Sequence, residues 1–359
     1  MNPGKVFYAV LDMGLGHATR SLPIIREFVN RKWEIWIGST GRSLAFLKKE
    51  LPGVTFVETP GYGISYSHGK FLLPKLISQI PKLFYRIRKE RRICNKTVEK
   101  FSPDLIISDH CYGMYHPQVP SYFLSHQIYF ALQRNLQMFS HLVSRFNFAY
   151  HRHYRQILIP DVPKDGGGLL SGELSRLPDS NPKYKLIGIL SSMKRQGVSQ
   201  EFDLLVSISG PEPQRSIFEK IVMEQVHKLP GKKIVVLGKS EENKVLVDQK
   251  DLKVYTHLPR GEMETYFNGA ALIITRPGYS TLMELVELGK KALLVPTPGQ
   301  TEQQYLASLM LGKKWFYSID QNRINLSKDI EIAKTFSGLM IPGATQQTVT
   351  RLFDDVLKI

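Results

Sequence analysis

Cysteine is scarce: the chain of 359 residues holds two, Cys94 and Cys111. Their spacing fits no metal-ligand pattern, which argues against a zinc site or a disulfide scaffold and for a reducing compartment. Long apolar runs are missing too. No stretch of ~18 apolar residues is present to cross a membrane as a helix, and the start, MNPGKVFYAVLDMGLGHATR, reads as a first strand, not a secretory leader. There are no repeats, no low-complexity tracts and no Asp-x-Asp pair to hold a metal ion. Acidic residues are short in one half only. Residues 1–200 carry 28 Lys+Arg against 13 Asp+Glu, and the remainder carries 20 against 19, so nearly all of the net +16 belongs to the first half. Anionic partners are expected to meet that half: nucleic acid, an anionic membrane surface or a lipid-phosphate acceptor.

What is present reads as α/β. With 42% hydrophobic residues, the chain is long enough for two domains on the ~150-residue prior. Residues 5–11 (KVFYAVL) are apolar on both faces, as in a parallel strand. They run into Asp12-Met-Gly14-Leu-Gly16-His17-Ala-Thr-Arg20, a glycine turn, and then into an amphipathic helix with Leu22, Ile25, Phe28 and Val29 inward. The spacing is GxGH, so no GxGxxG dinucleotide fingerprint is met. Ligands favour this carboxyl edge of an open sheet. A histidine at a helix start is held neutral and able to accept a proton, the state a general base needs. Two later strands, over 104–108 and 119–124, end in Asp109-His110 and Ser125-His126-Gln127 and are expected at the same edge. Asp109, His126 and Gln127, with Arg20, are acceptor-side candidates, and Asp109 alternatively orients His17 or is itself the base.

Between these strands, residues 59–69 (TPGYGISYSHG) read as a mobile loop, with Tyr62, Tyr66 and His68 able to stack on a sugar. Residues 70–96 interleave Leu76, Ile80, Leu83 and Phe84 with Lys and Arg, as an interfacial helix does. Pro74 and Pro81 are expected to break that helix. A helical stretch over 128–153, a surface loop over 161–183 and a linker over 191–199 complete the first half.

The most informative stretch is 275–305, TRPGYSTLMELVELGKKALLVPTPGQTEQQY. A buried strand over 270–275 turns at Pro277-Gly278, and a helix begins near Ser280 and Thr281. Its first turn leaves N–H groups unpaired and partly positive, an anion cradle suited to a diphosphate. Arg276 stands beside it. Glu284, one turn beyond Ser280, is placed to accept hydrogen bonds from two sugar hydroxyls. A second strand over 292–295 leads to a polar loop, where the Gln303 and Gln304 amides suit a sugar ring.

This ordered set resembles the donor-binding half of nucleotide-sugar glycosyltransferases with the B fold, most of all the peptidoglycan N-acetylglucosaminyltransferase branch. GLGHATR is similar to the N-terminal signature of related B-fold enzymes. It is also similar to that of nucleotide-sugar hydrolases of the pseudaminic acid pathway, where the matching histidine is the base. The resemblance implies two Rossmann-like domains facing across a cleft, 1–195 for the acceptor and 196–343 for the nucleotide sugar, with 344–359 packing back on the first. It implies donor contacts at Gly14, Gly16, Ser209, Gly210, His257, Leu258, Gly278, Ser280, Thr281, Glu284, Gln303 and Gln304. The SHQ run at 125–127 matches the branch only in part. The expected activity is inverting, metal-independent transfer of a hexosyl or N-acetylhexosaminyl group to an acceptor hydroxyl, with His17 as base and no cofactor. Expected partners are a nucleotide-diphosphate sugar, an acceptor glycan, glycolipid or small molecule, and an anionic membrane at the cytoplasmic face. The rivals are a nucleotide-sugar hydrolase, an epimerase on the same fold, and a basic nucleic-acid-binding protein. The last is disfavoured because the basic residues cluster among aliphatics rather than aromatics.

Overall fold

In the computed structural model, the described residues are 4–63, 72–132, 138, 140–178, 181–239 and 243–359. Tyr66 and His68, named above, lie outside them. The chain forms two compact units, Met1–Ser192 with Thr345–Ile359, and Met193–Ala344.

The first unit runs β1 (Lys5–Val10), α1 (Gly16–Asn30), β2 (Glu34–Ser39), α2 (Gly41–Glu50), β3 (Thr55–Glu58), α3 (Leu72–Phe101), β4 (Leu105–Asp109), β5 (Ser121–Leu124), α4 (Ser140–His151), β6 (Gln156–Ile159), the short β7 (Pro163–Lys164) and β8 (Gly167–Gly168), and β9 (Tyr184–Leu186). Its sheet has the order β3-β2-β1-β4-β5-β6-β9, all parallel. Parallel strands covered on both faces explain why Val6 to Val10 are all buried.

The second unit runs β10 (Phe202–Ser207), α5 (Gln214–Val226), β11 (Lys233–Val236), β12 (Val245–Asp248), β13 (Leu252–Tyr255), α6 (Arg260–Gly269), β14 (Ala270–Thr275), α7 (Tyr279–Leu288), β15 (Lys291–Leu294), α8 (Thr301–Gly312), β16 (Tyr317–Ser318) and α9 (Leu326–Lys334). Its order is β12-β13-β11-β10-β14-β15-β16, parallel apart from the edge strand β12. Both sheets therefore reverse direction of winding beside their first strand, between β1 and β4 and between β10 and β14. Such switch points leave a crevice at the carboxyl edge.

The terminal helix α10 (Ala344–Arg351) and a π-helical turn, Leu352–Leu357, return to the first unit. There Phe353 packs 4.6 Å from Phe28, and the Arg31 guanidinium lies 4.7 Å over the same ring.

Several local expectations are corrected. Val29 is exposed, because the inner stripe of α1 is Ala18, Leu22, Ile25 and Phe28. α3 is one helix with Pro81 inside it; Pro74 falls in its first turn, where no intrahelical N–H bond is lost. Residues 128–132 are not helical, because tertiary bonds claim their backbone. The Ile128 and Tyr129 N–H groups donate to Leu174 O, and Asn147 Nδ2 donates to Ile128 O. The described stretch 161–178 is folded inward around Asp161, fully buried, whose carboxylate accepts the Val162, Leu170 and Ser171 N–H groups and the Ser171 hydroxyl.

Candidate functional site

At the switch point of the first sheet, Val10 of β1 stands beside Asp109 at the end of β4. The turn after β1 needs glycine at 14, where φ is +80°. Asp12 fixes that turn by accepting the Ser43 N–H through Oδ1. α1 then opens at Gly16 and lifts His17 towards Asp109: Nδ1 lies 2.7 Å from Asp109 Oδ1. The His17 side chain keeps 14% exposure while Asp109 has none.

Asp109 is the hub. Arg20 grips it with two nitrogens, Nε 2.8 Å from Oδ2 and a terminal nitrogen close on Oδ1, and the Ser21 hydroxyl donates to Oδ2 at 2.8 Å. Burial alone would raise the Asp109 carboxyl, but Arg20 and His17 outweigh it and hold it well below the usual range. The neighbours fix the tautomers. A guanidinium only donates, so the contact of 2.8 Å from Arg20 to His126 Nδ1 requires a lone pair there, and the His126 proton sits on Nε2. His17 Nδ1 also lies 3.0 Å from Arg20. The closer carboxylate, however, demands a proton on Nδ1, leaving the Nε2 lone pair as the basic one.

Arg20 was expected to contact an acceptor. At 3% exposure, with its guanidinium turned onto Asp109 and His126, it is an interior residue. His126 and Gln127 are also buried, and Gln127 is tied by its backbone to Ser125 and Asn147. His110, which the motifs did not single out, stands edge-on to His17 at 5.6 Å between ring centres. Its backbone is left-handed, φ +59°, an uncommon conformation for a side chain of this size. Burial holds its imidazole neutral.

In the second unit the corresponding edge is lined by the turns after β10, β14 and β15. Gly210 has φ +115°, which requires glycine, and a side chain there would come within 3.5 Å of Thr297 Oγ1. Gly278 begins α7 with no side-chain cap, Ser280 and Thr281 are half-buried in its first turn, and Gly289 closes it in the left-handed region.

Arg276 departs from its expected role beside a phosphate. It is buried over the Phe218 ring at 4.3 Å and donates to Val295 O, Gln214 O and Gln321 Oε1, with a long contact to Ser209 O. It ties the three turns together, and burial lowers it to about 10. Glu284 faces inward and pairs with Arg260, a partner no motif indicated. The Gln303 side chain accepts the Thr297 N–H at 2.8 Å, bracing the loop it was expected to extend from, whereas Gln304 is exposed. His257 and Leu258 lie between β13 and α6, half-buried and buried. Thr297 Oγ1 and Gln300 Oε1 are buried there without a hydrogen-bond partner among the described residues. Unmet buried oxygens cost about 1–3 kcal/mol each, and nothing in the sequence flagged them.

Known proteins match both units. Residues 4–119 match the model of Glycosyl transferase family 1, and residues 205–331 that of the Glycosyltransferase family 28 C-terminal domain. A Methanosarcina acetivorans protein named as an uncharacterized glycosyltransferase is 24% identical over 351 residues, covering 87% of this chain and 84% of its own. The UDP-N-acetylglucosamine--N-acetylmuramyl-(pentapeptide) pyrophosphoryl-undecaprenol N-acetylglucosamine transferase of Caldanaerobacter subterraneus subsp. tengcongensis is 27% identical over 158 residues, 40% of each chain. Among solved structures, the glycotransferase of kitacinnamycin superposes with a TM-score of 0.63 at 14% identity, covering 98% of this chain and 94% of that one. Glycosyltransferase models thus match a stretch of each unit, and the two parallel-sheet α/β units have the B fold of glycosyltransferase structures.

Proposed function

We propose that the protein transfers a hexosyl or N-acetylhexosaminyl group from a nucleotide-diphosphate donor to an acceptor hydroxyl, with inversion and without a metal ion. The observation that carries this reading is the His17–Asp109 contact of 2.7 Å at a sheet switch point. His17 Nε2 takes the acceptor hydroxyl proton as the oxygen attacks the anomeric carbon, whose bond to the diphosphate oxygen breaks and releases the nucleoside diphosphate. Asp109 holds the tautomer and stabilises the imidazolium that forms. The donor belongs to the second unit. There the uncapped start of α7 at Gly278, Ser280 and Thr281 meets the diphosphate with backbone N–H groups. Glu284 meets the ribose, and the loop carrying Thr297, Gln300, Gln303 and Gln304 meets the sugar. The unpartnered Thr297 and Gln300 oxygens support this, since sugar hydroxyls would supply the missing donors.

The acceptor reading is an amphiphile presented at an anionic surface. On α3, Ile80, Phe84 and Tyr85 are exposed among Lys82, Arg86, Arg88 and Lys89. No helix among the described residues is long and apolar enough to cross a membrane, so this would be contact from one side.

His17→Ala is expected to lower turnover by ~10²–10⁴ while nucleotide-sugar affinity is retained. Full turnover in that variant would sink the base assignment. Release of free sugar from donor alone, at the rate seen with acceptor, would make the protein a hydrolase. Incubation with a chelator is expected to leave the rate unchanged.

A further inference from the structure

Arg20 lies on α1 one turn beyond His17, 3% exposed, with its guanidinium against Asp109, His126 and His17. We propose that Arg20 is a positioning residue that makes the proton-accepting form of His17 the electrically neutral state of this buried cluster. The inference rests on His17 being the base.

The argument is a count of charge in a place where charge is costly. With His17 neutral, the Asp109 carboxylate and the Arg20 guanidinium cancel. A proton on His17 then leaves the cluster at one positive charge, in surroundings that resist an uncompensated ion. Without Arg20 the count changes: neutral His17 beside Asp109 leaves one negative charge, and the proton cancels it. Arg20 thus works against His17 being protonated before substrate arrives. The same bidentate grip fixes the carboxylate plane, so Oδ1 stays on His17 Nδ1. Arginine suits this place because it does not give up its proton and presents a rigid fork.

Among the described residues, no other facing group supplies a compensating charge. His110 is kept neutral by burial. His126 accepts from Arg20 and so carries no charge. Tyr8, on the neighbouring strand, is kept in its phenol form by burial and by Asp109. Ser21 is uncharged, and Asp12 is turned to the Ser43 N–H.

The test is the pH at which the His17 imidazole titrates in the whole protein, followed by NMR and assigned with a His17→Asn variant. It needs no turnover, so it can fail independently of the proposed reaction. Arg20→Met is expected to move the titration up by at least about one pH unit, a tenfold change in proton affinity. Asp109→Asn, which leaves Arg20 uncompensated, is expected to move it down by a similar amount. Arg20→Lys keeps the charge and should stay close to wild type. The acid limb of kcat/KM should follow each shift. Should Arg20→Met fail to fold, Arg20→Gln, which keeps N–H donors but no charge, takes its place: the same upward move supports the proposal and an unmoved titration overturns it. An unmoved titration in folded Arg20→Met, or no downward move in Asp109→Asn, overturns the proposal.

Discussion

Single residues show where reading a sequence stops. His17 could be picked out because its glycine turn and helix start are local chemistry, visible within nine residues. Asp109 stood open between orienter and base, and only its contact with Nδ1 separates the two. Arg20 and Arg276 looked like ligand contacts because exposed arginines often are. Which way a guanidinium points depends on strands far away in the chain, and both turn inward. Glu90 could not have been anticipated at all. It sits on the buried face of α3, and Oε2 accepts from the Tyr62 hydroxyl and the Gly113 N–H, both at 2.9 Å. Burial raises it to about 8 from an ordinary 4.5, against the lowering by those hydrogen bonds. Below 4.5 both the folded and the unfolded chain hold this proton. Between there and about 8 the unfolded chain releases it while the folded one does not. Stability should fall across that window and level off above it. Glu90→Gln keeps an acceptor oxygen and removes the titration. Its melting temperature, relative to wild type, is expected to rise by on the order of 5 °C from pH 5 to pH 8. Parallel melting curves for the two proteins would contradict this.

At the scale of elements, the strands were the legible part. Apolar runs such as 5–11 and 270–275 announce a parallel sheet, and each ends within a residue of the observed strand. The misreadings fall where distant atoms compete for the backbone, as at 128–132 and around Asp161. α3 combines both lessons. Its later turns bury Ile87, Glu90, Cys94 and Thr97 on one face. One turn earlier, Ile80, Phe84 and Tyr85 are left exposed beside basic side chains. If that face meets lipid, wild-type protein should co-sediment with vesicles containing anionic phospholipid and not with neutral ones. Replacing Ile80 and Tyr85, the more exposed apolar side chains, by Asp should abolish this without changing the melting temperature. Equal binding by the variant would assign the attachment elsewhere.

For the molecule as a whole, the two-sheet architecture follows from pattern, whereas the return of 344–359 to the first domain was implied only by the resemblance. The second unit is inserted into the first, which Thr345–Ile359 completes. Deleting residues 345–359 would bare Phe28 and unfill the space beside Gly188, where Thr348 is in contact. Calorimetry should then show the first unit melting several degrees lower, while the second is unchanged. A single transition shifted as one would mean that the units unfold together.

That insertion sets an order of events during synthesis. The ribosome delivers His17, Arg20 and Asp109 early, yet Thr345–Ile359, which completes their unit, leaves the exit tunnel only after the whole second unit. The donor-side domain has every one of its strands by then. On the proposed assignment of donor and base, the half that would perform the proton transfer is accordingly the later to mature, and a nascent chain stalled before residue 345 would hold nucleotide before it could turn anything over.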